Sequence, residues 1–61
     1  MKVLRLPDVL DRVGKSKASI YRDEAADRFP KRIVLGANSV GWLESEIDAW
    51  IEARAAEREV A

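Results

Sequence analysis

Residues 6–22 read Leu6-Pro7-Asp8-Val9-Leu10-Asp11-Arg12-Val13-Gly14-Lys15-Ser16-Lys17-Ala18-Ser19-Ile20-Tyr21-Arg22, and the fold turns on this stretch. Leu6, Val9, Leu10 and Val13 fall at i, i+3, i+4 and i+7, the apolar stripe of a short amphipathic helix. Pro7 suits the first turn, where its missing amide proton has no partner to lose, and Asp8 places a carboxylate at the positive end of the helix dipole. Gly14 can take the left-handed backbone that closes a helix. Ser16, two residues on, is a good N-cap for a second helix carrying Lys17, Ala18, Ser19 and Ile20. The pattern predicts two helices joined by a three-residue turn.

Working outward, the second helix should run to about Ala26, because Asp27 tolerates left-handed geometry and Pro30 biases Phe29 towards an extended conformation. The period then changes from helical to alternating. Residues 31–35 read as a strand, Gly36 to Ser39 as a tight loop and residues 40–42 as a return strand. Pairing Leu35 with Val40 would set Ile33 opposite Trp42, with all four apolar side chains on one face and Arg32 on the other. A last helix should begin near Glu44 or Ser45. Ser45 and Asp48 have the spacing of a capping box, and Leu43, Ile47, Trp50 and Ile51 form the buried stripe, extended by Ala55. Residues 55–61 offer little to bury and are expected to fray or to meet a partner. The expected core is Leu6, Val9, Leu10, Val13, Ile20, Phe29, Ile33, Leu35, Trp42, Ile47, Trp50 and Ile51.

A chain of 61 residues holds one small domain, spanning 1–61. It contains no cysteine and no histidine, which removes disulfides, thiolate nucleophiles and the usual zinc and proton-shuttle chemistries. No apolar run approaches the roughly 20 residues of a bilayer span, and the first residues carry charge every few positions, unlike a signal peptide. A cytoplasmic location and no membrane partner are expected. The formal charge is zero, yet it is unevenly spread. Residues 1–41 hold nine basic against five acidic side chains, whereas residues 42–61 hold two against six, so the two parts carry +4 and −4. Such asymmetry points to nucleic-acid contact by the basic part, or to one copy pairing end to end with another.

The acids do not suggest catalysis. Asp23 with Glu24, and Glu44 with Glu46 and Asp48, are the carboxylate clusters, and a general acid needs a desolvating pocket that a chain this short has little interior to build. There is no phosphate-binding glycine motif, so no cofactor is implied. What remains is a helix–turn–helix followed by a hairpin: an α+β, mostly helical winged helix–turn–helix. That architecture offers the N-terminal part of its second helix to the major groove. With Ile20 facing inward, Lys17, Tyr21 and Arg22 turn outward. Lys17 can neutralise a phosphate, Ser16 and Ser19 can bond phosphate or a base edge, and the Arg22 fork matches guanine O6 and N7. Tyr21 can pack its ring inward and direct its hydroxyl to a phosphate. The plainer reading of Lys17 and Arg22 is a solvated helix face. Lys31 and Arg32, with Arg28 just before, form a second basic group at the root of the wing. Asn38 in the small polar loop can approach DNA, or simply make the turn with Gly36. Trp42 and Trp50 lie in apolar stripes and read as core.

The segments RLPDVLDRVGKSKASIYR and RFPKRIVLGANSVGWLESEIDAWIEAR together resemble the AlpA-type family of prophage regulators, related to small excisionases and to the MerR-like winged-helix fold. The resemblance runs from Arg5 to Arg54. It implies DNA binding by the second helix and the wing, in transcription control of a prophage or mobile element or in directing excision. Ser16, Lys17, Ser19, Tyr21 and Arg22 match the family's recognition segment, and Lys31 with Arg32 match its wing approach. One departure stands out: relatives usually carry apolar residues where this chain has Asp23 and Glu24, and glycine where it has Asp27. Acids there are expected to weaken core contact and repel phosphate, or else to accept a hydrogen bond from cytosine.

The leading expectation is therefore a sequence-specific regulator that binds double-stranded DNA, at the nucleoid, without enzymatic activity. The small DNA surface of a single module would favour homo-oligomers on repeated sites. The alternative is a protein-interaction module that meets an integrase or a transcription component through its acidic last helix.

Overall fold

Ser16 accepts a hydrogen bond from the Ser19 amide through its Oγ at 3.2 Å and so starts the second helix where the sequence places it. The computed structural model describes residues 1–58. Two helices, α1 (Leu6–Val13) and α2 (Lys17–Ala25), flank a turn in which Gly14 adopts φ 66° and donates its amide to the Leu10 carbonyl at 2.9 Å. Pro7 sits in the first turn of α1 as expected. Asp27 takes φ 60° and ends the turn that follows α2.

Three antiparallel strands complete the chain, and the first was not foreseen. β1 (Val3–Leu4) pairs with β3 (Ser39–Leu43), which also pairs with β2 (Ile33–Gly36), giving the order β1-β3-β2. Two residues are too few to show a period, which is why β1 is silent in the sequence. It nevertheless brings Leu4 into the core opposite Trp42. The Lys2 carbonyl accepts the Glu44 amide at 2.9 Å and so satisfies a free donor at the start of α3 (Glu44–Glu57). That backbone contact replaces the expected capping box. The N-cap is Leu43, without a side-chain cap, and Ser45 lies inside the first turn.

Away from the turn the hairpin register differs by one residue from the expected pairing, while next to the turn it agrees with it. Ile33 faces Gly41 and Val34 faces Val40, with a bulge before Gly36 meets Ser39. Ala37 and Asn38 alone form the turn, and Asn38 supplies the left-handed φ of 60°, so the loop is shorter than the four residues read from the sequence. A shift of one position sends alternate side chains to the other face. Trp42 points inward across from Leu4, as its place in the expected core required, while Leu35, assigned to the core from sequence and standing at the bulge, is 46% exposed and Val34 is 74% exposed.

The interior is Leu4, Val9, Ile20, Phe29, Trp42 and Ile47, with Leu6, Leu10, Val13, Tyr21, Val40, Trp50 and Ile51 packed round it. Full burial of such side chains stabilises by roughly 1.5–3 kcal/mol each. Both indole N–H groups bind the segment between α2 and β2: Trp42 Nε1 donates to the Pro30 carbonyl at 3.1 Å and Trp50 Nε1 to the Arg28 carbonyl at 2.8 Å. Phe29, between those carbonyls, meets Trp50 edge-on with ring centroids 5.0 Å apart. The path from α2 to the wing is thus fixed from the core side. α3 remains helical to Glu57, and the part of the expected frayed end at residues 59–61 lies outside the described residues. Among the described residues no helix is long and apolar enough to cross a membrane. Three helices with a hairpin beside the second make this a winged helix–turn–helix, α+β and mostly helical.

Candidate nucleic-acid interface

Ile20 is fully buried and sets the orientation of α2. The row facing away from it is Ala18, Arg22 and Ala25, all exposed and spaced i, i+4, i+7. The Arg22 side chain is 70% exposed; its Nη2 donates to Ser19 Oγ at 3.4 Å, and its Nε lies 3.9 Å from Asp23 Oδ1. Lys17 is exposed one turn earlier on the flank nearer the wing, its Nζ 6.0 Å from the centre of the Tyr21 ring. Tyr21 is half-buried against the core, as one of its two expected placements required.

The serines are less available than the sequence suggests. Ser16 Oγ caps the helix and donates to Ser19 Oγ at 3.0 Å, and Ser19 Oγ also receives Arg22. Both hydroxyls therefore order the start of α2 and steady Arg22 above it. Lys31 Nζ pairs with Asp27 at 2.9 Å and donates to the Glu24 carbonyl at 3.1 Å. Arg32 is bound to Glu24, and its guanidinium carbon lies 5.1 Å from the Tyr21 ring centre. Asn38 is exposed at the hairpin tip, about 13 Å of strand beyond Arg32 at the usual rise over the four residues of β2. The structure thus gathers Lys17, Tyr21 and Arg32 on one flank of α2 and Ser16, Ser19 and Arg22 along its first two turns. Asn38 stands apart.

Asp23 and Glu24 behave differently from both roles expected of them. Each is only 7% exposed, so neither faces solvent as a phosphate-repelling charge or a cytosine acceptor. Asp23 receives Lys15 at 2.9 Å and Arg28 at 3.4 Å. The hydrogen-bonded Lys15 ammonium holds the Asp23 carboxyl below the usual carboxylate range, burial opposing this and Arg28 reinforcing it. Glu24 accepts the Arg32 amide on Oε2 at 3.0 Å and the Arg32 guanidinium on Oε1. In place of apolar core contact, the two acids tie the turn before α2 and the wing root after it to the helix between them. The signal was present in the sequence: the same period that turns Ile20 inward places residues 23 and 24, at i+3 and i+4, on its side of the helix.

Cations also surround Trp50. Lys15 Nζ lies 5.8 Å and the Arg54 guanidinium carbon 5.5 Å from its ring centre. Two acids at the start of α3 turn towards α1 and the residue before β1: Arg12 bridges Glu44 at 2.9 Å and Asp48 at 3.2 Å, and Lys2 lies 3.9 Å from Glu44. Among the described residues, these contacts leave the outer row of α2 uncovered by the acidic helix.

The profile of the family described as "Prophage CP4-57 regulatory protein (AlpA)" matches residues 2–55. The DNA-binding transcriptional activator AlpA of Escherichia coli is 42% identical over 62 residues, covering 88% of this chain and 86% of that protein. The uncharacterized protein ORF88 of Enterobacteria phage P4 is 39% identical over 57 residues, covering 93% of this chain and 65% of that protein. With the profile and a similar relative both extending over most of its length, the chain belongs to the AlpA family of prophage regulatory proteins.

Proposed function

We propose that this chain is a single winged helix–turn–helix domain that regulates a prophage or mobile element by binding double-stranded DNA in a sequence-specific way. The observation that carries the reading is the outward row of α2, where Arg22 stands in solvent, supported by Ser19 and flanked by Lys17. A recognition helix reads base edges from such a row, and an arginine fork there binds guanine while small apolar side chains accept a thymine methyl. Ala18 and Ala25 supply the second kind of contact, which attention to polar residues alone overlooks. Lys17 and Arg32 sit where they can contact the sugar-phosphate backbone on the wing side, Ser16 and Ser19 support the reading row, and Lys31 and Asn38 contribute at the wing root and tip. The E. coli relative's name as a DNA-binding transcriptional activator supports the same reading.

The DNA surface that one domain of this size can bury is limited, so binding to repeated sites by several copies fits the chemistry. Transcription control and direction of excision with an integrase share this DNA-binding step. They separate by whether the bound sites lie at promoters or at attachment regions.

The test is titration of the wild-type chain and Arg22→Ala against the element's promoter and attachment regions and against random duplex. Arg22→Ala should lower specific affinity by about 1–3 kcal/mol and relax preference at one base pair. Wild-type affinity should fall by roughly 0.9 log units per log unit of salt for each phosphate contact. Equal binding of specific and random duplex by both proteins would overturn the reading.

A further inference from the structure

Glu24 holds a single residue at two points. Its Oε2 accepts the backbone amide of Arg32, the residue just ahead of β2, and its Oε1 accepts the guanidinium of the same Arg32. The first contact fixes where the wing leaves α2. The second fixes one edge of the guanidinium, whose central carbon lies 5.1 Å from the centre of the Tyr21 ring. The Arg32 side chain nonetheless remains 42% exposed, and with Nη1 engaged the guanidinium still has Nε–H and Nη2–H donors to offer. Lys17 Nζ lies 6.0 Å from the centre of the same ring, and Lys31 is drawn to Asp27 and to the Glu24 carbonyl.

We infer that Glu24 is a positioning residue for DNA recognition: it orients Arg32 at the seam between the recognition helix and the wing, and cancels its charge, so that Arg32 favours a correctly docked duplex over any duplex. This rests on the DNA-binding reading above. Binding to random sequence is governed by the number of phosphates neutralised, to which a cation already paired with a carboxylate adds little. Docking on a fitted site rewards a group that is already in place, because less side-chain freedom is lost on binding. A buried acid beside a DNA-binding surface thus raises discrimination while lowering indiscriminate attraction.

The experiment compares wild type, Glu24→Gln and Arg32→Lys on two duplexes of equal length, one enriched by the wild-type chain from a randomised library and one of random sequence. Glutamine can still accept the Arg32 amide but frees the guanidinium charge. Random-duplex binding should therefore tighten, with its salt slope steeper by about 0.9, one added phosphate contact. The ratio of specific to random affinity should fall roughly tenfold, the size of one oriented arginine contact. Arg32→Lys keeps the charge without the fork and should lower the ratio with no change in slope, which decides the matter if Glu24→Gln does not fold. Unchanged affinities, or a rise of equal size on both duplexes, overturn the positioning role. A wild-type chain that enriches no sequence overturns the DNA-binding reading itself, and Arg22→Ala without effect on a duplex that is preferred separates a fault in that helix's role from one in Glu24.

Discussion

Gly41 lies in the middle strand with its Cα facing a crowded gap, and Gly41→Ala tests the sheet that carries the wing. An added Cβ would stand 2.5 Å from Val3 Cγ1, 3.0 Å from the Leu4 carbonyl oxygen and 3.2 Å from Leu35 Cδ1. Leu35 is half exposed and can swing away. Val3 is β-branched and stiff at χ1, and the Leu4 carbonyl belongs to a strand paired with β3, so these two yield only by moving β1. Overpacking of this kind costs about 1–3 kcal/mol. Alanine recovers about 0.5–1 kcal/mol by restricting the unfolded chain. The balance is a net loss of about 1 kcal/mol, or a Tm lower by about 4–8 °C for a domain this small. Thermal unfolding followed by circular dichroism measures it directly. Val3→Ala in the same chain should return much of the loss, a coupling that a double-mutant cycle isolates. A Gly41→Ala protein as stable as wild type would refute the packing argument.

Two further outcomes follow from the contacts around α2 and the segment after it. Because the Asp23 carboxyl is held below its ordinary 3.8 in the folded chain, its contribution to stability is complete above that value and lost as pH falls through the folded one. Tm measured from neutral to strongly acidic pH should show a gap between wild type and Asp23→Asn that narrows below about pH 4; a gap of constant width contradicts the assignment. Trp42→Phe removes the donor to the Pro30 carbonyl and part of a fully buried ring. It should cost about 2 kcal/mol, roughly half from the hydrogen bond and half from packing, and urea unfolding that gives less than about 0.5 kcal/mol would show that the segment before the wing is not held by this indole.

The helix–turn–helix was legible because its signals are local. Pro7, Gly14 and Ser16 each act within one turn of backbone, and the structure uses each as its chemistry suggests. The hairpin was legible in kind but only partly in register, since Gly36 meets Ser39 as the expected pairing requires, while a bulge between Val34 and Gly36 displaces the partners of Ile33 and Val34 by one without altering the alternation of apolar residues. β1 escaped because its meaning lies wholly in a distant strand. At the candidate interface, exposure of Lys17 and Arg22 followed from the placement of Ile20. The same placement turns Asp23 and Glu24 inward, but their partners were not legible, because the groups that bind them, Lys15 and Arg32, lie eight residues away in the turn before α2 and at the wing root.

Val3 and Leu43 are paired although about forty positions separate them in the chain. A ribosome therefore makes the first strand long before the strand that completes it, and Leu4 has no finished core to enter until most of the domain has been synthesised. Closing so long a loop is an entropic hurdle that local helices do not face. Assembly of α1 and α2 can run ahead, but the platform beneath the wing waits for its last contributor, so a product that stops before β3 leaves both β1 and β2 without the strand that pairs with them.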